Sequence, residues 1–203
     1  AVEWTLYFKN TGTSDTPIIE NIQPLDADIY GNASGDFTLY YADGSSALAT
    51  DFQPRTAALT SGTSLALSNT GGRSSDGVLP FFNIAKPDGT GIAMGIGWTG
   101  QWAANFSRDT NSTVNLKAGM ELTHFVLHAG EEVRSPAILM LFWDGGDRMG
   151  GNNQLRRLLL SHYSPTPNGQ PVETPICAAS AVAFESITET GMVNAINNLH
   201  NNS

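Results

Sequence analysis

The chain of 203 residues is 40% hydrophobic and only 14% charged, contains 21 Gly and 10 Pro, and carries a formal net charge of -9. The acidic balance argues against nucleic acid or an anionic membrane surface as partner, because both require a basic face to meet phosphates. Low charge with abundant Gly and Pro argues against a helical chain, whose wet faces carry Glu and Lys, and for a turn-rich β protein; a chain this long buries roughly 70% of its unfolded surface and holds a core without staples.

Trp4-Thr5-Leu6-Tyr7-Phe8 is rich in β-formers and ends at the turn signal Asn10-Thr11-Gly12. Segments 18–22, 37–41 and 63–67 follow as short strands, the second stopped by Asp43-Gly44. Phe81-Phe82-Asn83-Ile84 leads into the turn Pro87-Asp88-Gly89. Residues 91–98 alternate glycine with larger apolar side chains, as in a strand with one crowded face, and 102–106 is expected as its hairpin partner. Segments 113–120 and 121–127 alternate polar and apolar residues, with Ala118-Gly119 as a hairpin-like turn between them. The continuous apolar run 137–143 reads as a further strand. Short strands with turns about every ten residues indicate a sandwich or barrel.

The pattern changes near residue 150. Residues 153–163 place Leu155, Leu158, Leu159 and His162 on one face of an amphipathic helix. Residues 165–171 are a linker by composition. Then 178–184 reads as a buried strand and 188–200 as a helix with Met192, Val193, Ile196, Leu199 and His200 on one side. A lone strand and helix have too few neighbours to shelter their apolar surfaces, so this tail is expected to open an α/β domain. The chain begins with Ala1 inside a strand-like run, and a cut N-terminus is expected. No run of about 20 apolar residues marks a membrane-spanning helix, and there is no signal-peptide pattern. Cys177, the single cysteine, lies in an apolar run and excludes an intrachain disulfide. The cysteine count leaves the compartment unfixed, and a soluble, cytoplasmic protein is the working expectation.

Several motifs carry residues suited to ligand chemistry. In Asp51-Phe52-Gln53-Pro54-Arg55, Asp51 can accept hydrogen bonds from hydroxyls and Arg55 can position a ligand; on residue chemistry alone the string reads more readily as a loop with an Asp turn and a Pro stop. Gly71-Gly72-Arg73-Ser74-Ser75-Asp76-Gly77 is a polar loop entering an aromatic strand, without the Lys-Ser/Thr pair of a phosphate loop. Gly97-Trp98-Thr99-Gly100-Gln101-Trp102 sets two tryptophans around a glycine. Sugar C–H faces stack on indole while indole N–H and amide groups bind hydroxyls, and two core tryptophans fit the string as well. Asp144 and Asp147 have the residue type of the carboxyl pair in a retaining glycosidase, about 5–5.5 Å apart. The two glycines between them favour a turn. His124, His128, His162 and His200 lack metal-ligand spacing, since His124 and His128 align on a helix but not on the expected strand. No metal site and no cofactor are expected.

An ordered series of these strings resembles the melibiase family of α-galactosidases. It runs through residues 4–12 and 16–22, Asp51-Phe52-Gln53-Pro54, Gly72-Arg73-Ser74-Ser75 with 79–83, 95–102, 130–136, Leu141-Phe142-Trp143 and Leu155-Arg156-Arg157. The resemblance spans nearly the whole chain. It implies a mostly β, antiparallel supersandwich of galactose-mutarotase type over 1–150, a linker helix and Pro-rich connection over 151–177, and a truncated start of a (β/α)8 barrel, its first strand and helix, over 178–203.

In that family catalysis follows the retaining scheme, with an Asp nucleophile and an Asp acid/base on later barrel strands. No catalytic residue can therefore be carried onto this chain. The family's sandwich lends loop residues to an active site, sometimes across a subunit contact. That implies substrate-binding roles for Asp51, Arg55, Trp98 and Trp102, an α-galactoside-like carbohydrate as partner, the missing barrel as a second partner, and a homo-oligomeric parent. One departure touches the sugar: where the family has a Trp near the end of the first barrel strand, this chain has Ala183-Phe184-Glu185. The rival expectations are a non-catalytic carbohydrate-binding β-sandwich module and a purely structural sandwich.

Overall fold

The structure is a computed structural model that describes residues 1–31, 35–145, 147–172 and 188–201. It is mostly β, with antiparallel pairing throughout. The larger sheet has six strands: β1 (Val2–Trp4), β14 (Ala137–Trp143), β9 (Gly91–Gly97), β8 (Phe81–Ala85), β5 (Phe37–Ala42) and β6 (Pro54–Leu59), in that order. The smaller has four: β4 (Leu25–Tyr30), β11 (Thr113–Met120), β10 (Trp102–Arg108) and β7 (Ser64–Ser68). Two short ribbons pair β2 (Tyr7–Lys9) with β13 (Glu132–Arg134) and β3 (Ile19–Glu20) with β12 (His124–Phe125).

Strict alternation builds the core. In β10 every second residue from Trp102 to Arg108 is buried, so Trp102, Ala104 and Phe106 face the larger sheet while Ala103, Asn105 and Ser107 face outward. They meet Phe37, Leu39, Phe82, Ile84, Met94 and Ile138 from the six strands. Phe82 sits edge-on to both Trp102 (5.7 Å between centroids) and Phe106 (5.2 Å), so one ring ties the two layers. The outer face of the larger sheet is also apolar. Ala93, Leu139, Leu141 and Trp143 are covered there by helix α1 (Arg148–His162) through Leu155, Leu158 and Leu159.

Asp147 caps that helix, its carboxylate accepting from Met149 N at 2.9 Å, so the helix begins earlier than the expected residue 153. Buried Asn83 fixes its first turn by donating to Asn152 Oδ1 (2.7 Å) and the Arg148 carbonyl (3.2 Å) while accepting from Trp143 Nε1 (2.9 Å).

Several sequence expectations are corrected. The 4–8 run is broken into β1 and β2, because Leu6 leaves the ladder to exchange hydrogen bonds with Ser135. Strands β9 and β10 lie in different sheets rather than in one hairpin. Pro54 does not stop the chain: it is the first residue of edge strand β6, where a missing N–H costs no ladder bond. Residues 25–30, with no assignment from sequence, form β4. The 121–127 segment keeps only the two-residue β12. Ala118-Gly119 is not a turn: β11 continues straight through it, with Gly119 opposite Ala103. Gly119 is small because the 22–24 backbone crosses it, and an added Cβ would lie 2.6 Å from the Ile22 carbonyl oxygen.

By internal contacts the chain divides into Ala1–Tyr163 and Ser164–Ser203, so α1 belongs with the sandwich. In the second unit, a single 3₁₀ turn (Pro167–Gly169) and helix α2 (Glu189–Asn201) are described, the latter led by Thr188, whose hydroxyl accepts from Gly191 N. The expected strand over 178–184, and Cys177 with it, lies outside the described residues.

The close approach at Gly119 gives a direct test. Gly119→Ala should lower stability by about 1–3 kcal/mol, the usual cost of overpacking, read as a fall in the denaturant midpoint at unchanged slope. No change would mean that the 22–24 crossing is misplaced.

Candidate functional site

Strand register gathers the motif-bearing loops at one end of the sandwich. Ala42 at the end of β5 pairs with Pro54 at the start of β6, and Tyr40 pairs with Asn83 of β8. Phe81 pairs with Gly95 near the end of β9. The 43–53, 69–80 and 98–101 connections therefore emerge together, as loops do at one end of a sandwich.

These loops are bolted to one another. Gly44 N donates to Gly77 O (2.9 Å) and Ser45 N to Ser75 O (2.7 Å). Ser46 Oγ donates to Asp76 Oδ1 at 3.1 Å, and the other Asp76 oxygen pairs with Arg73. Gly72 N donates to Gln101 Oε1 (3.1 Å), whose amide nitrogen reaches Glu121. Trp102 joins the cluster to the core: its Nε1 donates to Ser74 O (2.7 Å) and its backbone N–H to Asn69 Oδ1 (2.7 Å).

The four candidate residues fare differently within this frame. Asp51 turns its carboxylate back into its own loop. Oδ1 accepts from Ser46 N (3.0 Å) and Leu48 N (3.2 Å), and Oδ2 from Ser45 Oγ (3.1 Å). The Ala47 backbone N–H also bears on this carboxylate, which is partly exposed and offers about four lone-pair sites in all. The Ser46 backbone N–H, first among these donors, holds the Asp51 carboxyl below its ordinary 3.8. Arg55 is committed to Asp43, with Nε at 3.0 and 3.1 Å from the two oxygens and Nη2 at 2.7 Å from Oδ2. That pair locks the β5–β6 hairpin and keeps Asp43 ionised, its carboxyl also below 3.8. Arg55 thus acts on the loop rather than reaching out alone.

Trp102 is fully buried, and neither face of its indole is open to a sugar. Stacking on Trp102 is corrected for that reason. Trp98 is half-buried, with the Arg134 guanidinium 5.6 Å from its ring centre. It borders a shallow recess of about 340 Å³ shared with Gln101, Met120, Glu121 and Leu122, so it keeps ring surface where a ligand can reach.

Asp147 is the helix cap already described, and Asp144 is exposed before it. His124 faces Glu20 across the β3–β12 ribbon at 3.3 Å, and His128 lies 2.9 Å from Asp15. Asp15 raises His128 above its ordinary 6.5, so that contact stabilises fully below pH 6.5 and is lost as pH climbs through the raised value. Among the described residues, no group of three or more His, Cys, Asp or Glu is gathered as a metal site would require, and no helix is long and apolar enough to cross a membrane.

Sequence reasoning missed Asp43, Ser45, Ser46 and Asp76, which hold the loops. The serine-rich 43–46 string before Asp51 was the available signal, since Ser and Asp bond nearby backbone in loops. It also missed Phe52, 59% exposed with φ of 62°.

The chain has the fold of the N-terminal β-sandwich region of family GH36 α-galactosidases. Among solved structures it is similar to the α-galactosidase of Lactobacillus brevis, with a TM-score of 0.61 and 17% identity over 78% of this chain and 21% of that one. It is also similar to α-galactosidase AgaA of Geobacillus stearothermophilus, with a TM-score of 0.55 and 18% identity over 69% of this chain and 20% of that one. The galactosidase domain of the α-galactosidase-sucrose kinase AgaSK gives a TM-score of 0.55 and 19% identity over 71% of this chain and 20% of that one. The chain thus spans about a fifth of the length of these enzymes. No family model and no curated protein matches the sequence.

The Asp51 staple should be visible in solution. Its carboxyl should titrate below 3.8, and its contribution should be complete above pH 3.8 and lost as pH falls through the lowered value. Asp51→Ala should speed amide exchange at Ser46 and Leu48 selectively. An Asp51 midpoint at or above 3.8 with unchanged exchange would overturn the staple.

Proposed function

We propose that this chain is the N-terminal sandwich of an α-galactosidase-type glycoside hydrolase that acts on terminal α-galactosides with retention. In this reading 1–150 is the supersandwich, 151–177 the helix and connection, and 178–203 the first strand and helix of the barrel. The sandwich supports the barrel and completes the rim of its sugar site with the 43–53 loop. The carboxylates that break the glycosidic bond belong to the barrel, so the chain alone is inactive.

The observation that carries this reading is the Asp51 loop: an ionised, partly exposed carboxylate, fixed by backbone and hydroxyl donors at one end of a sandwich shared with α-galactosidases. A buttressed acceptor of that kind suits a hydroxyl donor, and a neutral sugar brings many. AgaA variants have been solved in complex with 1-deoxygalactonojirimycin, raffinose and stachyose, so galactosides are the ligand class to try first. Trp98 beside its recess favours one rival, a sandwich that binds carbohydrate by itself.

Two measurements decide. The purified chain should not hydrolyse an aryl α-galactoside, and turnover would overturn the assignment of the acids to the barrel. In the assembled enzyme, Asp51→Ala should lower kcat/KM about 10- to 100-fold, the worth of one hydrogen bond to a charged group; unchanged kinetics would remove Asp51 from the site. Titrating the chain with galactose and raffinose tests the rival, which requires millimolar or tighter binding without any barrel.

A further inference from the structure

The 43–53 loop bends its backbone in a costly way to display a ring. Ala47 (φ 61°) and Phe52 (φ 62°) both occupy the left-handed region. For a side chain as bulky as Phe that conformation is a true outlier, held only where surrounding structure dictates it. The core gains nothing in return, because Phe52 is 59% exposed and Leu48 65%. Nor is the loop slack. Phe52 N donates to Gly44 O (3.4 Å), Asp43 N to Gln53 O (2.9 Å), and the Asp51 carboxylate staples the turn in between. The chain thus fixes an exposed aromatic side chain at the residue that follows an ionised carboxylate.

We propose that Phe52 is a stacking platform for a pyranose ring, and that Asp51 and Phe52 engage the same sugar unit. This rests on the reading above, that the loop borders the sugar site of the assembled enzyme. The pairing follows the two-sided chemistry of a sugar: a C–H face that packs on a π-system and hydroxyls that donate to an acceptor. A neutral ligand fits better than an anion. The cations of the neighbouring loops are already spent, Arg55 on Asp43 and Arg73 on Asp76, while Asp51 is held ionised. Phe52 would act on binding in ground state and transition state alike, so its removal should appear in KM and leave kcat.

The test uses the assembled enzyme with raffinose. Phe52→Gly deletes the ring and suits a positive φ, so Tm should hold or rise. KM should rise about tenfold, the scale of one aromatic stacking contact, with kcat within about twofold. Phe52→Trp should restore KM, whereas Phe52→Leu, apolar but without a π-face, should not. If Leu restores KM as well as Trp does, or if Phe52→Gly keeps KM but lowers Tm or dissociates the assembly, the ring is a protein contact and the proposal fails. Asp51→Ala separates the two levels. An altered KM there with an unchanged one for Phe52→Gly removes only the platform; unchanged kinetics in both removes the loop from the site.

Discussion

The indole of Trp102 is the joint on which this sandwich turns. Its ring is fully buried and edge-on to Phe82, so it belongs to the layer between the sheets. Its N–H and its backbone amide both leave that layer to bind Ser74 O and Asn69 Oδ1. A buried indole N–H without a partner carries the cost of a stranded donor. The 69–77 loop can therefore hold its place because the core requires an acceptor there. From Ser74 and Ser75 the chain of bonds continues to Ser45, Ser46 and Asp76, and from Ser45, Ser46 and Leu48 to Asp51. Order passes from hydrophobic packing to a surface carboxylate through a continuous series of hydrogen bonds.

The same interaction shows how far the sequence could be read. The class was legible, since the polar–apolar alternation of 113–120, the continuous apolar run 137–143 and the frequent turns indicate a β-sandwich. Which strands pair was not. Strands β9 and β10 are joined by only four residues, Trp98 to Gln101, and a connection that short is ordinarily a hairpin. Here Trp102 must enter the core from the opposite layer, and the Thr99-Gly100 bend carries the chain across. Gly119 misled for a related reason. Its smallness serves a backbone passing 2.6 Å from where a Cβ would stand, a contact between residues about a hundred positions apart that no local window contains.

How much of each candidate residue's setting was legible differs by residue, for physical reasons. Asp51 was singled out for its carboxylate and for the family resemblance of its string, whereas its bonds to Ser46 and Leu48 were hidden by the turn's geometry. Arg55 was chosen for its charge. Whether a guanidinium is free depends on pairing, and Asp43, twelve positions earlier, is brought opposite only by the β5–β6 hairpin. Trp98 and Trp102 are the same residue type in one short string and have opposite fates. The difference is strand parity: Trp102 is the first inward position of β10, and Trp98 lies one residue beyond the end of β9.

Charge at the loop end follows a consistent logic. Asp43, Asp51 and Asp76 stand close together, and like charges repel unless each is compensated. Two are neutralised by a guanidinium, Arg55 and Arg73, while Asp51 is held only by N–H and O–H dipoles. Dipoles lower a carboxyl's proton affinity without cancelling its charge, so Asp51 remains the uncancelled anion of the cluster. An approaching phosphate or carboxylate meets that charge with no spare cation beside it, whereas a hydroxyl meets a fixed acceptor. The acidic balance of the whole chain, a net charge of -9, is thus repeated at a single loop, where one carboxylate is held by dipoles while the neighbouring guanidinium groups are paired elsewhere.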